Sequence, residues 1–322
     1  MKILFIRFSS IGDIVLTTSP LRSLKKGIPN AQIHYLTLEE YAPLLEGNSS
    51  IDRLHVLVRS TSVFKLISVG NYLNHCNFDI VVDMHDSLRS KIIRNRIKSG
   101  THYYLKKPRW KRFKLFEFHQ NDFQNDFSQL TLFHSVIKDI LSLEHHSSTS
   151  LFVSENEKEE AKLLLSKNGI KGEQYLVCVP GAAWRNKTWE KANYLELFKY
   201  FIKNKFEIIL LGTEKDVICK DCALENNSLI NMAGKTEFRQ SLAIISQAQL
   251  VIGSDTGFVH AAEALGIPAV MLLGPTSTET GAGVTRSMSK NIQLSHIWCR
   301  PCSQNGSRPC YRYEKFCMNG IQ

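Results

Sequence analysis

The residues best suited to bind a phosphate group lie where an apolar run ends at Asp255, Thr256 and Gly257. The run QLVIGS predicts a buried strand, and the segment after it predicts a helix that extends to Gly266. The first N–H groups of a helix have no partner within the helix, and the helix dipole places partial positive charge beside them. This junction therefore predicts a phosphate site and suggests a nucleotide-linked substrate. His260 would face the same side of the helix, although a purely structural histidine is the alternative.

A second phosphate-binding group is predicted in the segment PGAAWRNKTWE. Lys187 and Thr188 precede a predicted helix, where an ammonium and a hydroxyl can hold a diphosphate and offset the charge that develops as it departs. At the end of the next predicted strand, Glu214 and Asp216 could bind ribose hydroxyls or cap a helix. Met232 could border an aromatic base, or it could be an ordinary core residue.

Asp13 is the candidate catalytic base. It follows the apolar run KILFIRF and the short segment SSIG, in which Gly12 could form a tight turn from strand to helix. A carboxylate at this place can take a proton from a hydroxyl nucleophile. Alternatively, the Asp13 carboxylate serves only as the N-terminal cap of the helix.

These residues need strands that bring them to one edge of a sheet. Apolar runs alternate with helical patterns along the chain, beginning with KILFIRF, QIHYLTL, RLHVLV and FDIVVDMH and resuming with YLVCVP, FEIILLG and LINMAG. This alternation predicts two doubly wound parallel sheets in series. The polar and charged composition between about 148 and 174 indicates the boundary. We expect the two domains to form a cleft at the carboxyl ends of their strands.

The composition fits a globular protein of two domains, with 322 residues, 43% apolar and 22% charged. No run approaches the ~20 apolar residues of a membrane span. The first apolar run stops at Arg7, which is too early for a signal peptide. We expect a cytoplasmic protein.

The formal net charge of +10 is concentrated in two clusters. The first spans Arg89–Lys98 and the second spans Lys106–Lys114. Such clusters attract anions, although a solvated surface loop is the alternative. Trp110 and Phe113 lie within the second cluster, a mixture that suits contact with a membrane surface.

Four of the eight cysteines lie close together near the end of the chain. They are Cys299, Cys302, Cys310 and Cys317. Four thiolates can close a tetrahedral site, and a cytosolic setting argues against disulfides, so we expect a structural zinc ion. Reduced thiols, disulfides and an iron–sulfur centre are the alternatives. The pair Cys219 and Cys222 lies in a predicted helix, where we expect ordinary packing.

The ordered set of motifs resembles the bacterial heptosyltransferases of glycosyltransferase family 9. The matching segments are KILFIRFSSIGDIVLTTSPLRSLKK, FDIVVDMHDSLRSKII, PGAAWRNKTWE, LLGTEKD, NMAGKTEF and GSDTGFVHAAEALGIPAVMLLGPTS. The resemblance implies a GT-B architecture of two Rossmann-like domains. We place the acceptor-binding domain at 1–160, the nucleotide-sugar-binding domain at 161–297 and the cysteine-rich tail at 298–322.

The resemblance also implies an inverting transfer of heptose from ADP-heptose to the lipopolysaccharide inner core of a Gram-negative bacterium, without a catalytic metal. Asp13 matches the general base, and the donor would be held by residues of the second half of the chain. The matching donor contacts are Lys187, Thr188, Asp255, Thr256 and Gly257, with Asp216 or Glu214 at the ribose, and Ser9, Ser10, Gly12 and His260 complete the predicted site. The basic clusters would then guide an anionic glycolipid, with peripheral contact at the cytoplasmic face of the inner membrane.

Two other functions are weighed against this one. A related glycosyltransferase with a different nucleotide sugar would use the same residues. A non-catalytic nucleic-acid-binding protein would use the basic clusters and a zinc tail, but DNA binding does not explain the donor-site residues. We therefore expect no nucleic-acid partner. A nicotinamide enzyme is disfavoured because no Gly-x-Gly-x-x-Gly follows a strand.

Overall fold

The chain forms two α/β units, each built around a parallel sheet. The computed structural model describes residues 1–98, 100–142, 146–170, 172, 174–295, 297–312 and 314–322. The first unit comprises Met1–Pro108 and Gln129–Phe152, and the second comprises Arg109–Ser128 and Val153–Gln322. No helix among the described residues is long and apolar enough to cross a membrane.

The first unit contains a sheet with strand order β3-β2-β1-β4-β5, in which every pair is parallel. Its strands are β1 (Lys2–Ile6), β2 (Gln32–Leu38), β3 (Arg53–Leu57), β4 (Ile80–Asp83) and β5 (Thr101–Tyr104). Its helices are α1 (Ile11–Gly27), α2 (Val63–Asn74) and α3 (Leu88–Arg94), and α5 (Gln129–His134) packs against α1. Continuous apolar strands such as ILFI are buried because helices cover both faces of such a sheet.

The second unit contains a parallel sheet with strand order β11-β10-β9-β6-β7-β8. Its strands are β6 (Tyr175–Val179), β7 (Glu207–Leu210), β8 (Leu229–Asn231), β9 (Leu250–Ser254), β10 (Ala269–Leu273) and β11 (Lys290–Gln293). Its helices are α4 (Arg109–Phe118), α6 (Glu155–Lys167), α7 (Lys191–Lys203), α8 (Val217–Glu225), α9 (Phe238–Ile245), α10 (Gly257–Ala264) and α11 (Phe316–Asn319). The predicted alternation of strands and helices is confirmed.

The last segment of the first unit ends at Phe152, and the second unit resumes at Val153. The charged run after Ser154 forms α6, because Ser154 and Glu157 make a capping box at its start. Glu157 also pairs with Arg239 on α9, with 2.6 Å between Oε1 and Nε. This helix therefore groups wholly with the second unit, whereas the predicted boundary at 160/161 divides it. The tail at 298–322 groups with the same unit.

Helix α4 also groups with the second unit, although the sequence prediction placed it in the first domain. Arg308 near the chain end pairs with Glu117 on this helix at 2.7 Å, and its guanidinium lies over the Phe116 ring. This attachment joins residues almost two hundred positions apart. Local patterns do not show it.

Candidate functional site

The strand order of each sheet reverses beside one central strand, and three of the predicted site residues follow strands at these points. In the first unit the reversal lies between β1 and β4, and in the second it lies between β6 and β9. The loops that follow such strands leave a crevice at the carboxyl edge of the sheet, where open α/β sheets bind ligands. Asp13 follows β1, Lys187 follows β6 and Asp255 follows β9.

Lys187 and Asp255 form a buried ion pair in the second unit. The Lys187 Nζ donates to Asp255 Oδ2 at 2.9 Å, and the two side chains are only 11% and 14% exposed. His260 Nε2 lies 3.6 Å from the other carboxylate oxygen. Burial alone would raise the pKa of Asp255, but the charge of Lys187 and the contact with His260 outweigh it and hold that pKa well below its usual range. Asp255 is therefore ionised and holds the lysine.

The start of α10 provides donors for an anion. Thr256 is the N-cap residue, and its side chain makes no capping hydrogen bond. Its buried Oγ1 has no hydrogen-bond partner among the described residues. Because the carboxylate of Asp255 repels a phosphate, the N–H groups of this first turn and the Lys187 ammonium are the groups that can attract one.

The predicted ribose and base contacts have different surroundings. Asp216 Oδ2 accepts hydrogen bonds from Thr213 N at 2.7 Å and from Thr213 Oγ1 at 2.9 Å, so this carboxylate fixes the loop before α8. Glu214 in the same loop is exposed to solvent. Met232 is only 1% exposed and lies in the core. Thr188 is half-buried next to Lys187.

Asp13 lies in the first turn of α1, and one of its two carboxylate oxygens is contacted by neighbouring side chains and backbone. Its Oδ2 lies 2.5 Å from the guanidinium of Arg7 and also accepts hydrogen bonds from Ser10 N at 3.4 Å and Ser10 Oγ at 3.3 Å. The carboxylate is 29% exposed. Because Ser10 is the N-cap, the helix starts at Ile11, and Gly12 lies inside the helix and not in the turn before it.

Sequence reasoning missed Arg7 and His85. Arg7 also donates to Ser9 O and Met84 O, each at 2.6 Å, and its side chain is only 9% exposed. A charged residue directly after a buried strand was the available signal. His85 packs on Phe8 with 5.0 Å between ring centroids. Burial and the charges of Arg7 and Lys107 lower its pKa to about 3, so the imidazole is neutral at physiological pH.

The first basic cluster is only partly available for binding an anion. Arg94 is buried, with its Nη1 3.0 Å from the buried carboxylate of Asp83, and it packs on Tyr104. Lys91 pairs with Asp86 at 3.3 Å. The first cluster therefore contributes to the structure of the β4–α3 loop as well as to the surface charge.

The four cysteines of the tail line one cavity of about 20 Å³, together with Asn186, Arg300 and Lys315. Burial raises the pKa of Cys302 and of Cys317 to about 11, and the neighbouring thiols add to the rise. All eight cysteines are free thiols. Among the described residues, no three histidine, cysteine, aspartate or glutamate side chains are grouped closely enough to hold a metal ion. Cys219 and Cys222 lie in the apolar core, as the sequence predicted.

Comparison with known proteins shows which family and fold the chain resembles. The family model described as glycosyltransferase family 9 (heptosyltransferase) matches residues 66–311. Lipopolysaccharide heptosyltransferase 3 of Escherichia coli K12 is 23% identical over 91% of this chain and 83% of its own length.

Two solved structures have the same fold. A family 9 glycosyltransferase from Veillonella parvula is 20% identical, with a TM-score of 0.75 over 90% of this chain and 85% of its own. The ADP-heptose lps heptosyltransferase II of E. coli is 22% identical, with a TM-score of 0.74 over 91% of each chain. The α/β fold with two parallel sheets is thus similar to that of GT-B heptosyltransferases.

Proposed function

The chain belongs to glycosyltransferase family 9, the heptosyltransferase family, and we propose that it transfers a heptose from ADP-heptose to the lipopolysaccharide inner core. It is a glycosyltransferase, related to heptosyltransferases of lipopolysaccharide core biosynthesis. This relationship argues against the alternative of a non-catalytic nucleic-acid-binding protein. The observation that carries the proposal is the buried lysine paired with Asp255, directly before the start of α10, where a phosphate could bind.

The donor half of the mechanism relies on Lys187. Its ammonium is paired with Asp255, and a diphosphate bound at the start of α10 would share that charge. As the bond from the anomeric carbon to the phosphate oxygen breaks, negative charge grows on ADP, and a fixed ammonium stabilises it. Lys187 should therefore stabilise the transition state more than it stabilises the ground state.

The acceptor half relies on Asp13. Its contacts with Arg7 and Ser10 all go to Oδ2, so Oδ1 is the oxygen suited to take a proton. As the acceptor hydroxyl oxygen attacks the anomeric carbon opposite ADP, its proton passes to Asp13, and the configuration inverts. Arg7 orients the carboxylate. These steps need no catalytic metal ion.

Product mass tests the proposal directly. The purified protein is incubated with ADP-heptose, or with other nucleotide sugars, and with a heptose-deficient lipopolysaccharide. We expect a mass gain of one heptose from ADP-heptose alone. Transfer from a different nucleotide sugar would establish the alternative donor, and no transfer from any donor would contradict the proposal.

We also propose that α4 contacts the anionic cytoplasmic face of the inner membrane. Trp110 and Phe113 stack at 5.4 Å between ring centroids and are 66% and 42% exposed, beside Arg109 and Lys111. Exposed aromatic rings among basic side chains favour an interface between water and anionic lipid. The double variant Trp110→Ala/Phe113→Ala should lose flotation with phosphatidylglycerol vesicles. Tyr200→Ala, which removes another exposed ring, should float like the wild type, and equal flotation of all three proteins would contradict the proposal.

We also propose that the four cysteines of the tail bind a structural zinc ion. The donor chemistry fits, because four thiols line one cavity that is large enough for a single water-sized occupant. The thiols would have to move closer together around an ion, and deprotonation of the ligands would accompany binding. When bound, zinc would supply a rigid crosslink for the tail and no chemistry on the substrate.

A further inference from the structure

The C-terminal tail, residues 298–322, packs against the loop that carries the predicted donor-phosphate contacts. Asn186 Nδ2 donates to Arg308 O at 2.6 Å, on one side of Lys187. On the other side, Lys315 Nζ donates to Thr188 O at 3.0 Å, and Trp189 Nε1 donates to Ile321 O at 3.1 Å. Asn186, Thr188 and Trp189 therefore tie this loop to the tail on both sides of the lysine.

Gly306 lies directly against the aliphatic chain of Lys187. A Cβ atom at this position would stand 2.6 Å from Lys187 Cγ and 2.7 Å from Lys187 Cδ, which is too close for any real contact. The residue also has a φ of +83°, which disfavours other residue types. Ser303 Oγ accepts a hydrogen bond from Gly306 N at 2.9 Å and fixes this turn. The lysine chain thus lies between the glycine turn and Asp255.

The tail is itself anchored to the sheet. The Arg300 guanidinium donates to Gly274 O at 2.6 Å, to Leu294 O at 3.0 Å and to Thr276 O at 3.1 Å, close to the ends of β10 and β11. The cavity lined by the four cysteines lies between this anchor and Asn186. The tail is therefore held in a fixed position against the sheet where it contacts Lys187.

We infer that the tail positions the Lys187 ammonium for the donor diphosphate, with Gly306 and Asn186 as positioning residues. This inference rests on the donor role proposed above for Lys187. A lysine chain has several rotatable bonds, and ordering it on binding costs conformational entropy. Packing against Gly306 removes that freedom before the diphosphate arrives, so affinity for the diphosphate increases.

Calorimetric titration with ADP tests the inference in two backgrounds. Gly306→Ala should weaken ADP binding about tenfold, because the displaced ammonium loses a charge-assisted hydrogen bond to phosphate. In a Lys187→Met background, which keeps the chain but removes the charge, Gly306→Ala should change ADP affinity by less than about twofold. Asn186→Ala, which introduces no steric conflict, should weaken ADP binding in the same direction.

Gly169→Ala is the matched control. Gly169 has a φ of +98°, and apart from its chain neighbours no heavy atom of the described residues lies within 4 Å of where a Cβ would stand, so its substitution strains the backbone without touching Lys187. Its ADP affinity should equal that of the wild type. An equal loss on Gly306→Ala in both lysine backgrounds would overturn the inference, because the glycine would then act independently of the ammonium.

A separate result identifies failure of the proposed donor role. If Lys187→Met alone binds ADP like the wild type, the lysine does not hold the diphosphate. Hydrogen exchange of residues 184–190 then tests the contact itself. Faster exchange in Gly306→Ala than in Gly169→Ala supports the positioning role of the tail, and identical exchange overturns it.

Discussion

Replacing Asp255 by asparagine should lower the free energy of unfolding, because the substitution breaks the buried ion pair with Lys187. The substitution keeps the shape of the side chain and removes its charge, which leaves the Lys187 ammonium without a charged partner. Breaking a buried pair in this way costs about 3–5 kcal/mol. Because the two side chains are 11% and 14% exposed and the asparagine oxygen still accepts a hydrogen bond, we expect the lower end, about 3 kcal/mol. For a domain of this size the melting temperature should fall by about 6–12 °C.

The pH dependence makes this prediction specific to charge. The pKa of Asp255 lies well below its ordinary value of 3.8 in the folded protein, so the folded state binds fewer protons than the unfolded state at acidic pH. The stabilisation is complete above about pH 5 and is lost as the pH falls below 3.8 towards the folded pKa. The difference between wild type and Asp255→Asn should therefore shrink as the pH is lowered.

Urea unfolding of both proteins at about pH 7 and about pH 3 measures this difference. Glu159→Gln is the control, because it breaks an exposed pair with Lys162 and should cost less than about 1 kcal/mol. A loss in Asp255→Asn that is equal at both pH values would refute the reasoning, since a lost charge pair must titrate. ADP should restore part of the lost stability, because its phosphates return negative charge to the lysine.

Three further predictions follow from the described contacts. Asp13→Asn should reduce heptose transfer by about 100-fold or more while ADP affinity stays unchanged, and full turnover measured by product mass would remove Asp13 from the mechanism. His55, His85 and His134 have pKa values lowered to about 4, 3 and 3, primarily by burial, so the folded state resists protonation and stability should fall as the pH drops from about 6.5 towards 4. In urea unfolding, His134→Gln should flatten that slope by about 1.4 kcal/mol per pH unit, and an unchanged slope would contradict its buried neutral state. Elemental analysis of the purified protein should find about one zinc per chain, lost in Cys302→Ser/Cys317→Ser but retained in Cys76→Ser; zinc-free wild type purified without chelators would contradict the metal proposal.

The sequence predicted the scaffold because its signals are local. Apolar runs such as VCV and IIL and the caps of the helices lie within a few residues of the structure that they specify. The strand-to-helix junction at Asp255 is another such signal, and the predicted helix was found as α10. These features required no knowledge of distant contacts.

The partners within the sites were not predictable in the same way. Lys187 and Asp255 are 68 positions apart, and Asn186 and Arg308 are 122 positions apart. The first pair forms because parallel strands that are distant in sequence end at the same edge of the sheet, and the second forms because the tail packs against the loop after β6. The burial of Met232 was not predictable for the same reason. The sequence around an apolar residue after a strand is the same whether that residue faces a ligand or the core.

Each unit has an aspartate and a cation paired at the carboxyl edge of its sheet, but burial distinguishes their roles. In the first unit Arg7 is 9% exposed and Asp13 is 29% exposed, so the cation is the fixed member and the carboxylate is the accessible one. In the second unit Lys187 and Asp255 are almost equally buried, and the start of α10 favours an anion beside the lysine. In the proposed mechanism, an arriving diphosphate would therefore compete with Asp255 for the lysine, whereas an acceptor hydroxyl would reach Asp13 without displacing Arg7. For this reason, substitution of Arg7 should lower the rate of turnover without changing the affinity for ADP. Substitution of Asp255 should change the affinity for ADP.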